Sequence, residues 1–320
     1  MNGRRPKLGR ALGVFALAML VAVGLQAKDA NPAVPQTSAL TSVRADTDPG
    51  RDPSAGVWDR APETQMALTA QQTTYPFGGG SIPVVRVRSL HFQKRIYVRI
   101  EWDDSTKDDS TASVEQFADA VALELPATPG STVPSVCMGQ ADSGVNIWQW
   151  RADRESALAR AETHTNGYVD DDQSTADRAR EVDNPSATAR RPVQDLVAQG
   201  FGTLGPAEHQ AVAGRGLYGG SNESGHWAVV LARGFQAPGE GQPAFKVGER
   251  TDIAFAVWNG IEGDRDGIKS VSEFATLVVS RSRVVSVPSS MWWFIGAAAL
   301  LLLTSVVFWI LRSNWFKRAR

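Results

Sequence analysis

The chain has 320 residues, and its 33 Lys and Arg nearly balance its 34 Asp and Glu, which leaves a formal net charge of -1. Without a basic surplus, the chain lacks the electrostatic footprint of a nucleic-acid-binding protein. The single cysteine, Cys137, excludes an internal disulfide, a zinc or iron–sulfur site built from several thiolates, and any CxxCH attachment motif.

The N-terminus has the layout of an export signal. Basic residues within positions 4–10 precede the uncharged apolar run Ala11–Leu25, and Leu25-Gln26-Ala27 provides a small-residue cleavage site. This order predicts a secretory signal peptide over residues 1–27, cleaved after Ala27. An uncleaved membrane anchor is the alternative, but the apolar run is short for a full span.

A flexible leader is predicted over residues 28–55, which are rich in Pro, Ser, Thr, Asp and Ala. The main domain is predicted over residues 56–283. Within it, apolar and mostly polar residues alternate along Arg95–Trp102, as in a half-buried antiparallel strand. The run Pro83–Leu90 precedes that strand and is expected to pair with it through a link at His91–Lys94.

Similar short apolar runs recur along the domain, and turn residues separate most of them. These runs are Ala120–Leu125, Val145–Trp150, Trp227–Ala232, Ile253–Trp258 and Phe274–Val279. Many short strands without regular helices between them predict a mainly β fold, namely an antiparallel β-sandwich with a few short helices.

Residues 151–200 interrupt this pattern because they are charged and rich in Ala, Asp and Arg. They are interpreted as an irregular insertion with one helix near Asp153–Glu162. Its acidic triplet Asp170–Asp172 is either a calcium ligand or part of a solvated loop. The loop is favoured, since no ligand-spaced pattern such as an EF-hand surrounds the triplet.

The C-terminus has the pattern of a membrane anchor. After a linker at residues 284–290, residues 291–311 form an uncharged apolar run long enough to cross a bilayer as a helix, with Trp residues near both ends. The basic tail at residues 312–320 is expected to stay in the cytoplasm. The chain is therefore predicted to be a single-pass cell-membrane protein that contacts lipid, with its main domain on the periplasmic side.

No motif for catalysis is present. The sequence has no GxSxG, HExxH or phosphate-binding loop, and Gly78-Gly79-Gly80 precedes a strand rather than a helix. The glycines therefore predict a turn. The chain is expected to be a non-catalytic protein or subunit.

Several short motifs follow one another along the domain, and each is only moderately specific alone. They are Trp58-Asp59-Arg60-Ala61-Pro62, Ile100-Glu101-Trp102-Asp103-Asp104, Phe117-Ala118-Asp119-Ala120, Val136–Gln140 with Val145–Asp153, and Phe245–Glu249 with Ile253–Gly260 and Arg265–Ser270. In this order, from about Trp58 to Val279, the chain resembles the haem b (gamma) subunit of the ethylbenzene dehydrogenase type, within the DMSO reductase superfamily.

The resemblance implies a ligand pair for a non-covalent haem b. In that family a Met and a Lys hold the iron, and the matching motifs here place them at Met138 and Lys269. Residue type alone would not single out either one, because a lone Met usually fills a core and a lone Lys is usually solvated. A lysine amine binds a metal only after losing its proton, so the site must favour the neutral form.

Four further residues are candidates for haem contact, with alternatives left open. Trp148 and Trp258 either line the haem pocket or belong to the plain core, since only one face of each strand reaches the haem. Arg151 and Arg265 either pair with the haem propionates or lie in solvent.

Two axial ligands leave no open position for substrate, so the implied role is electron transfer. The implied partners are a molybdopterin catalytic subunit, an iron–sulfur subunit, and a cytochrome c or membrane electron carrier. The alternatives are a membrane-tethered, carbohydrate-binding-like β-sandwich without a cofactor, which needs solvent-exposed tryptophans, and a structural tether.

Overall fold

The structure is a computed structural model that describes residues 39–283, except positions 129, 131–132, 137, 165–190, 220–224 and 237–238. The predicted signal peptide, linker, membrane helix and basic tail lie outside the described residues, as does the Asp170–Asp172 triplet. Within the part described, no helix is both long and apolar enough to cross a membrane.

The described residues are mainly β-structure, as predicted. The strands are β1 Ala39–Arg44, β2 Glu63–Ala67, β3 Thr69–Ala70, β4 Val84–Phe92, β5 Arg95–Asp103, β6 Ala120–Pro126, β7 Val145–Arg151, β8 Val193–Ala198, β9 Gly205–Pro206, β10 Ala213–Tyr218, β11 His226–Gly234, β12 Arg250–Trp258, β13 Ser270–Val271 and β14 Ala275–Arg283. A 3-10 helix, Trp58–Arg60, and an α-helix, α1 (Ala152–His164), accompany them.

Hydrogen bonds join these strands into one continuous sheet, where two separate sheets were expected. The strand order is β10-β11-β5-β4-β1-β14-β12-β6-β7-β8-β9, with β2 beside β4 and β13 between β12 and β3. Strand β12 connects the two halves, because Arg250–Ile253 pair with β14 whereas Ala254–Trp258 pair with β6. The prediction of an antiparallel sandwich is corrected to this single sheet.

The two halves of the sheet nevertheless share one hydrophobic core. Alternate residues of β5 and β11 contribute to it from one half, and alternate residues of β6, β7 and β12 contribute from the other. Four buried tryptophans lie near its centre: Trp102, Trp148, Trp150 and Trp227. The rings of Trp150 and Trp227 meet edge to face with centroids 4.9 Å apart, a favourable arrangement for aromatic pairs.

Strand β1 contradicts the prediction that residues 28–55 form a flexible leader throughout. Ala39–Arg44 lies between β4 and β14 and runs parallel to both. Leu40 is fully buried in the core, and Ser42 is equally inaccessible. The segment looked like a leader because it is short and rich in Ala, Ser and Thr, but a strand buried on both faces does not need polar alternation.

The region 151–200 is also more regular than predicted. Helix α1 includes the segment expected to be helical, and β8 forms the neighbour of β7 in the sheet. The insertion is therefore narrower than residues 151–200. By contrast, the predicted hairpin is confirmed, because Gln93 and Lys94 have φ values of 42° and 62° and link β4 directly to β5.

The position of β1 predicts that truncating Leu40 destabilises the domain. Leu40→Ala in the full-length protein should lower the free energy of unfolding by about 2–5 kcal/mol, because it leaves a cavity in a packed core. Chemical denaturation followed by tryptophan fluorescence measures this change. Val114→Ala is the control, since Val114 is 94% exposed. An equal, negligible effect of both substitutions would show that β1 is not part of the folded core.

Candidate functional site

A shallow cleft lies on the face of β6, β7 and β12 that points away from the main core. Its floor is made by residues that alternate with core residues along each strand. Because side chains in a strand point to opposite faces in turn, Val121 and Trp150 enter the core while their neighbours form the floor. The floor residues include Ala120, Ala122, Ala254, Ala256, Ile147 and Gln149.

Sheet register aligns these small side chains across the strands. Ala122 lies opposite Ala256 on one side and Gln149 on the other. Two residues earlier on β6, Ala120 lies between its strand partners Trp258 and Arg151. A floor with alanines at its centre is low and apolar. The empty space above it, counting the part open to solvent, is about 1110 Å³.

Lys269 lies at one side of this cleft, just before β13. The residue is 5% exposed, and it lines the cleft together with Trp258. Its Nζ donates a long hydrogen bond of 3.4 Å to the Asp266 carbonyl and lies 5.0 Å from the centroid of the Trp258 ring. Among the described residues, no carboxylate forms an ion pair with it. Buried polar groups normally have good partners, so the cleft is where a further partner of this amine would bind.

Met138 approaches the same cleft from the loop between β6 and β7. It is half-buried and packs against the cluster of buried residues on the outer face of the sheet that includes Ile147 and Leu196. Its carbonyl accepts a hydrogen bond from Gly200 N–H at 2.8 Å, just beyond β8. Lys269 adjoins β12 and β13 whereas Met138 adjoins β7 and β8, and both residues line the same cleft.

The backbone at Met138 is unusual. Its φ is 107°, in the region that side chains with a Cβ rarely adopt. Such strain is common where a side chain must be aimed at a ligand. The following Gly139 has a φ of 65°, and a Cβ there would lie 2.5 Å from the Ser143 carbonyl oxygen.

Three of the other candidates also line the cleft. Trp258 is 8% exposed and donates from Nε1 to the Asp266 carbonyl at 3.2 Å. Arg151 is engaged with Asp153 through two hydrogen bonds, of 3.0 Å and 2.8 Å. Arg265 is exposed at the mouth, where its guanidinium stacks 4.7 Å from the centroid of the Phe117 ring.

Trp148 does not line the cleft, so its prediction as a cofactor contact is corrected. It points to the opposite face of β7, where it is fully buried in the main core. Its Nε1 donates to Asn146 at 2.8 Å, and the buried guanidinium of Arg233 lies 4.8 Å from its ring centroid. Side chains alternate between the two faces along a strand, so Trp148 shares the core face with Trp150. Ile147 and Gln149 lie on the other face, toward the cleft.

Three buried carboxyl groups lie at or beside the cleft: Asp119, Glu124 and Asp264. Asp119 is flanked by the lining residues Ala118 and Ala120 and accepts hydrogen bonds from Gly260 N–H at 2.9 Å and Trp227 Nε1 at 2.9 Å. Burial raises the pKa of Asp119 to about 7, although these donors act in the opposite direction. Burial also raises the pKa of Asp264, which accepts from Asn259 N–H.

The alanine floor is the part of the site that the sequence interpretation missed. The sequence does contain a pattern that indicates this floor. Alanine recurs at every second position at Ala118, Ala120 and Ala122, and again at Ala254 and Ala256. Small side chains at these outward positions leave a cleft above the sheet rather than a convex surface. The alternation was interpreted only as evidence for a strand.

The donors present fit a haem. A thioether and an amine line the same cleft. The thioether is a known axial ligand of haem iron, and a deprotonated amine offers a nitrogen lone pair to a metal. The carbohydrate-binding alternative, in contrast, was expected to show solvent-exposed tryptophans. Every tryptophan in the described part of the chain is buried, with exposure of 8% or less, whereas the rings of Tyr75 and Phe77 are exposed.

Comparison with known proteins identifies relatives over most of the chain. The profile of the family described as ethylbenzene dehydrogenase matches residues 55–270. A Haloferax mediterranei protein named as a respiratory nitrate reductase heme subunit is 29% identical over 82% of this chain and 80% of its own length. Chlorate reductase subunit gamma of Ideonella dechloratans is 28% identical over 83% of this chain and 95% of its own.

A third relative, dimethylsulfide dehydrogenase subunit gamma of Rhodovulum sulfidophilum, is 29% identical over 69% of this chain and 72% of its own. Among solved structures, a family 9 carbohydrate-binding module from Caldicellulosiruptor kristjanssonii matches with a TM-score of 0.41 and 10% identity. It covers 78% of this chain and 99% of the module.

The raised pKa of Asp119 predicts a pH-dependent effect of Asp119→Asn. The native state holds a proton up to about pH 7, whereas the unfolded chain releases it near 3.8, so the native state loses stability as pH rises through this window. Asn has no proton to lose. The free energy of unfolding of the variant minus that of the wild type should therefore increase from about pH 4 to pH 7.

Urea denaturation of the full-length protein across this pH range measures the difference. Asp142→Asn is the matched control, because Asp142 is exposed. A difference that stays constant with pH for Asp119→Asn would contradict the assignment of a raised pKa.

Proposed function

Because the chain belongs to the ethylbenzene dehydrogenase family, we propose that it is the haem b electron-transfer subunit of a molybdenum oxidoreductase complex. Its relatives include the gamma subunits of chlorate reductase and dimethylsulfide dehydrogenase, and a protein named as a heme subunit. The observation that carries the proposal is the cleft itself, which is lined by both a thioether, Met138, and a buried amine, Lys269.

Met138 and Lys269 are proposed as the axial ligands. Lys269 is suited to this role because its Nζ has only a long hydrogen bond and a ring face as partners among the described residues. Met138 contributes a soft, neutral sulfur that favours reduced iron. A haem held by these two residues would supply one-electron exchange. If both side chains hold the iron, no coordination position would remain for a substrate.

The remaining residues of the cleft would hold the ring and exclude water. The alanines of β6 and β12 allow close approach to the floor, and Trp258 covers the Lys269 side. Arg265, at the mouth, is placed to pair with a propionate because its guanidinium is exposed. Arg151 already has Asp153 as a partner, so it would contact a propionate as part of that ion pair.

The partners follow from the proposed role. A gamma-type subunit would exchange electrons with an iron–sulfur subunit, which in turn serves the molybdopterin catalytic subunit. A cytochrome c or a membrane electron carrier would be the other exchange partner. We further propose that the signal peptide exports the chain and that residues 291–311 hold it at the membrane, with the haem domain on the periplasmic side.

Removing either ligand should change the visible spectrum of the purified, haem-loaded protein. The wild type is expected to be low-spin, with a sharp α band after reduction. Met138→Ala and Lys269→Ala should each convert most of the haem to a high-spin form, because one axial position opens. Visible absorption of the oxidised and reduced forms measures the conversion.

Controls of matched chemistry separate ligation from general damage. Lys246→Ala removes an exposed lysine, and Met66→Leu replaces a buried methionine outside the cleft. Both variants should keep the low-spin spectrum. A wild-type protein that binds no haem, or a Lys269→Ala variant that remains fully low-spin, would overturn the proposal.

The membrane assignment has a separate test. Full-length protein should stay with the membrane fraction after alkaline carbonate extraction, because an apolar helix resists removal from the bilayer. A chain ending at Arg283 should instead be found in the periplasmic fraction. Release of the full-length chain by carbonate would contradict the anchor without affecting the haem assignment.

A further inference from the structure

The backbone of Lys269 is held by a distant segment of the chain, residues 71–82, which forms a loop between β3 and β4. Lys269 N–H donates to the Gly78 carbonyl at 3.2 Å, and the Lys269 carbonyl accepts from Gln71 N–H at 3.0 Å. The next residue, Ser270, accepts at its Oγ from Gly80 N–H at 2.9 Å. The loop therefore pairs with Lys269 and its neighbour almost as a strand would.

Gly79 lies against this backbone more closely than any other residue type allows. A Cβ at Gly79 would lie 2.2 Å from the Lys269 carbonyl carbon and 2.3 Å from its oxygen. The Gly79 φ of 84° also disfavours a side chain. Since backbone atoms cannot rotate away as a side chain can, even one methyl group would push Lys269 from its position.

Gln71 joins the loop at residues 71–82 to the segment just before Lys269. It is 1% exposed, and its Nε2 donates to the carbonyls of Gly267 at 2.9 Å and Thr74 at 2.6 Å. Its Oε1 accepts from the N–H groups of Thr73 and Thr74. A single buried amide thus connects its own loop to Gly267, two residues before Lys269.

We propose that Gly79 and Gln71 are positioning residues that set where the Lys269 amine enters the cleft. The proposal rests on the proposed function, because it concerns the ligand role of Lys269. Its physical basis is that the Lys269 side chain has weak polar partners of its own, so the backbone position determines where its Nζ lies. That position depends on one close glycine contact and one amide bridge.

Carbon monoxide is a suitable probe, because it binds reduced haem only when an axial position is accessible. The experiment uses the full-length, haem-loaded protein in its reduced form. Gly79→Ala and Gln71→Glu should each bind carbon monoxide at least about tenfold more tightly than the wild type and show partial high-spin character. Gln71→Glu retains the acceptor oxygen for the threonine N–H groups but removes the donor to the carbonyls of Thr74, Pro76 and Gly267.

Two reference variants define the scale. Lys269→Ala gives the response of a fully vacated lysine position. Gly50→Ala places the same methyl group on a glycine of positive φ, 66°, which has no atom within 4 Å of its Cβ position. The Gly50 variant should behave as the wild type, so any general cost of alanine at positive φ is separated from displacement of Lys269.

The outcomes are distinguishable. If the wild type binds carbon monoxide as readily as Lys269→Ala, the ligand assignment itself fails. If those two differ but Gly79→Ala and Gln71→Glu both match the wild type, the ligand assignment stands and the positioning role is overturned. If Gly79→Ala loses haem altogether, Gln71→Glu decides the question by the same two criteria.

Discussion

The structure depends on one constraint, the placement of small side chains on the outward face of two neighbouring strands, β6 and β12. Because side chains alternate along a strand, the positions of β6 and β12 between those that fill the core place Ala120, Ala122, Ala254 and Ala256 outside. The core-facing side chains of these strands stabilise the sheet, and the outward-facing alanines make the floor of the cleft. A larger residue at any of the four alanines would fill the cleft while leaving the core side unchanged.

The strands of the domain were predictable where polar and apolar residues alternate, and where apolar runs stand between turns. The pattern could not reveal how the strands assemble. Strand β1 was missed because a strand between two parallel neighbours shows no alternation. The single sheet was missed because one strand, β12, pairs with different neighbours along its length, and no local pattern records such a change of partner.

The site was less accessible to sequence reasoning than the fold. Met138 and Lys269 were proposed only through a family resemblance, since neither residue type is unusual where it stands. The structure adds a physical reason for each: a strained backbone at Met138, and a buried amine with weak partners at Lys269. Trp148 shows the limit of choosing residues by type alone, because strand parity places its ring in the core. The loop that holds Lys269 joins positions 71 and 267, a contact that no sequence motif indicates.

In this account, the sheet provides the floor of the cleft and two loops provide the proposed ligands. X-ray absorption at the iron of the purified full-length protein tests this account most directly. The account predicts a single sulfur scatterer in the first coordination shell, lost in Met138→Ala, with only nitrogen scatterers beside it. A first shell without sulfur in the wild type, or one still containing sulfur in Met138→Ala, would contradict it.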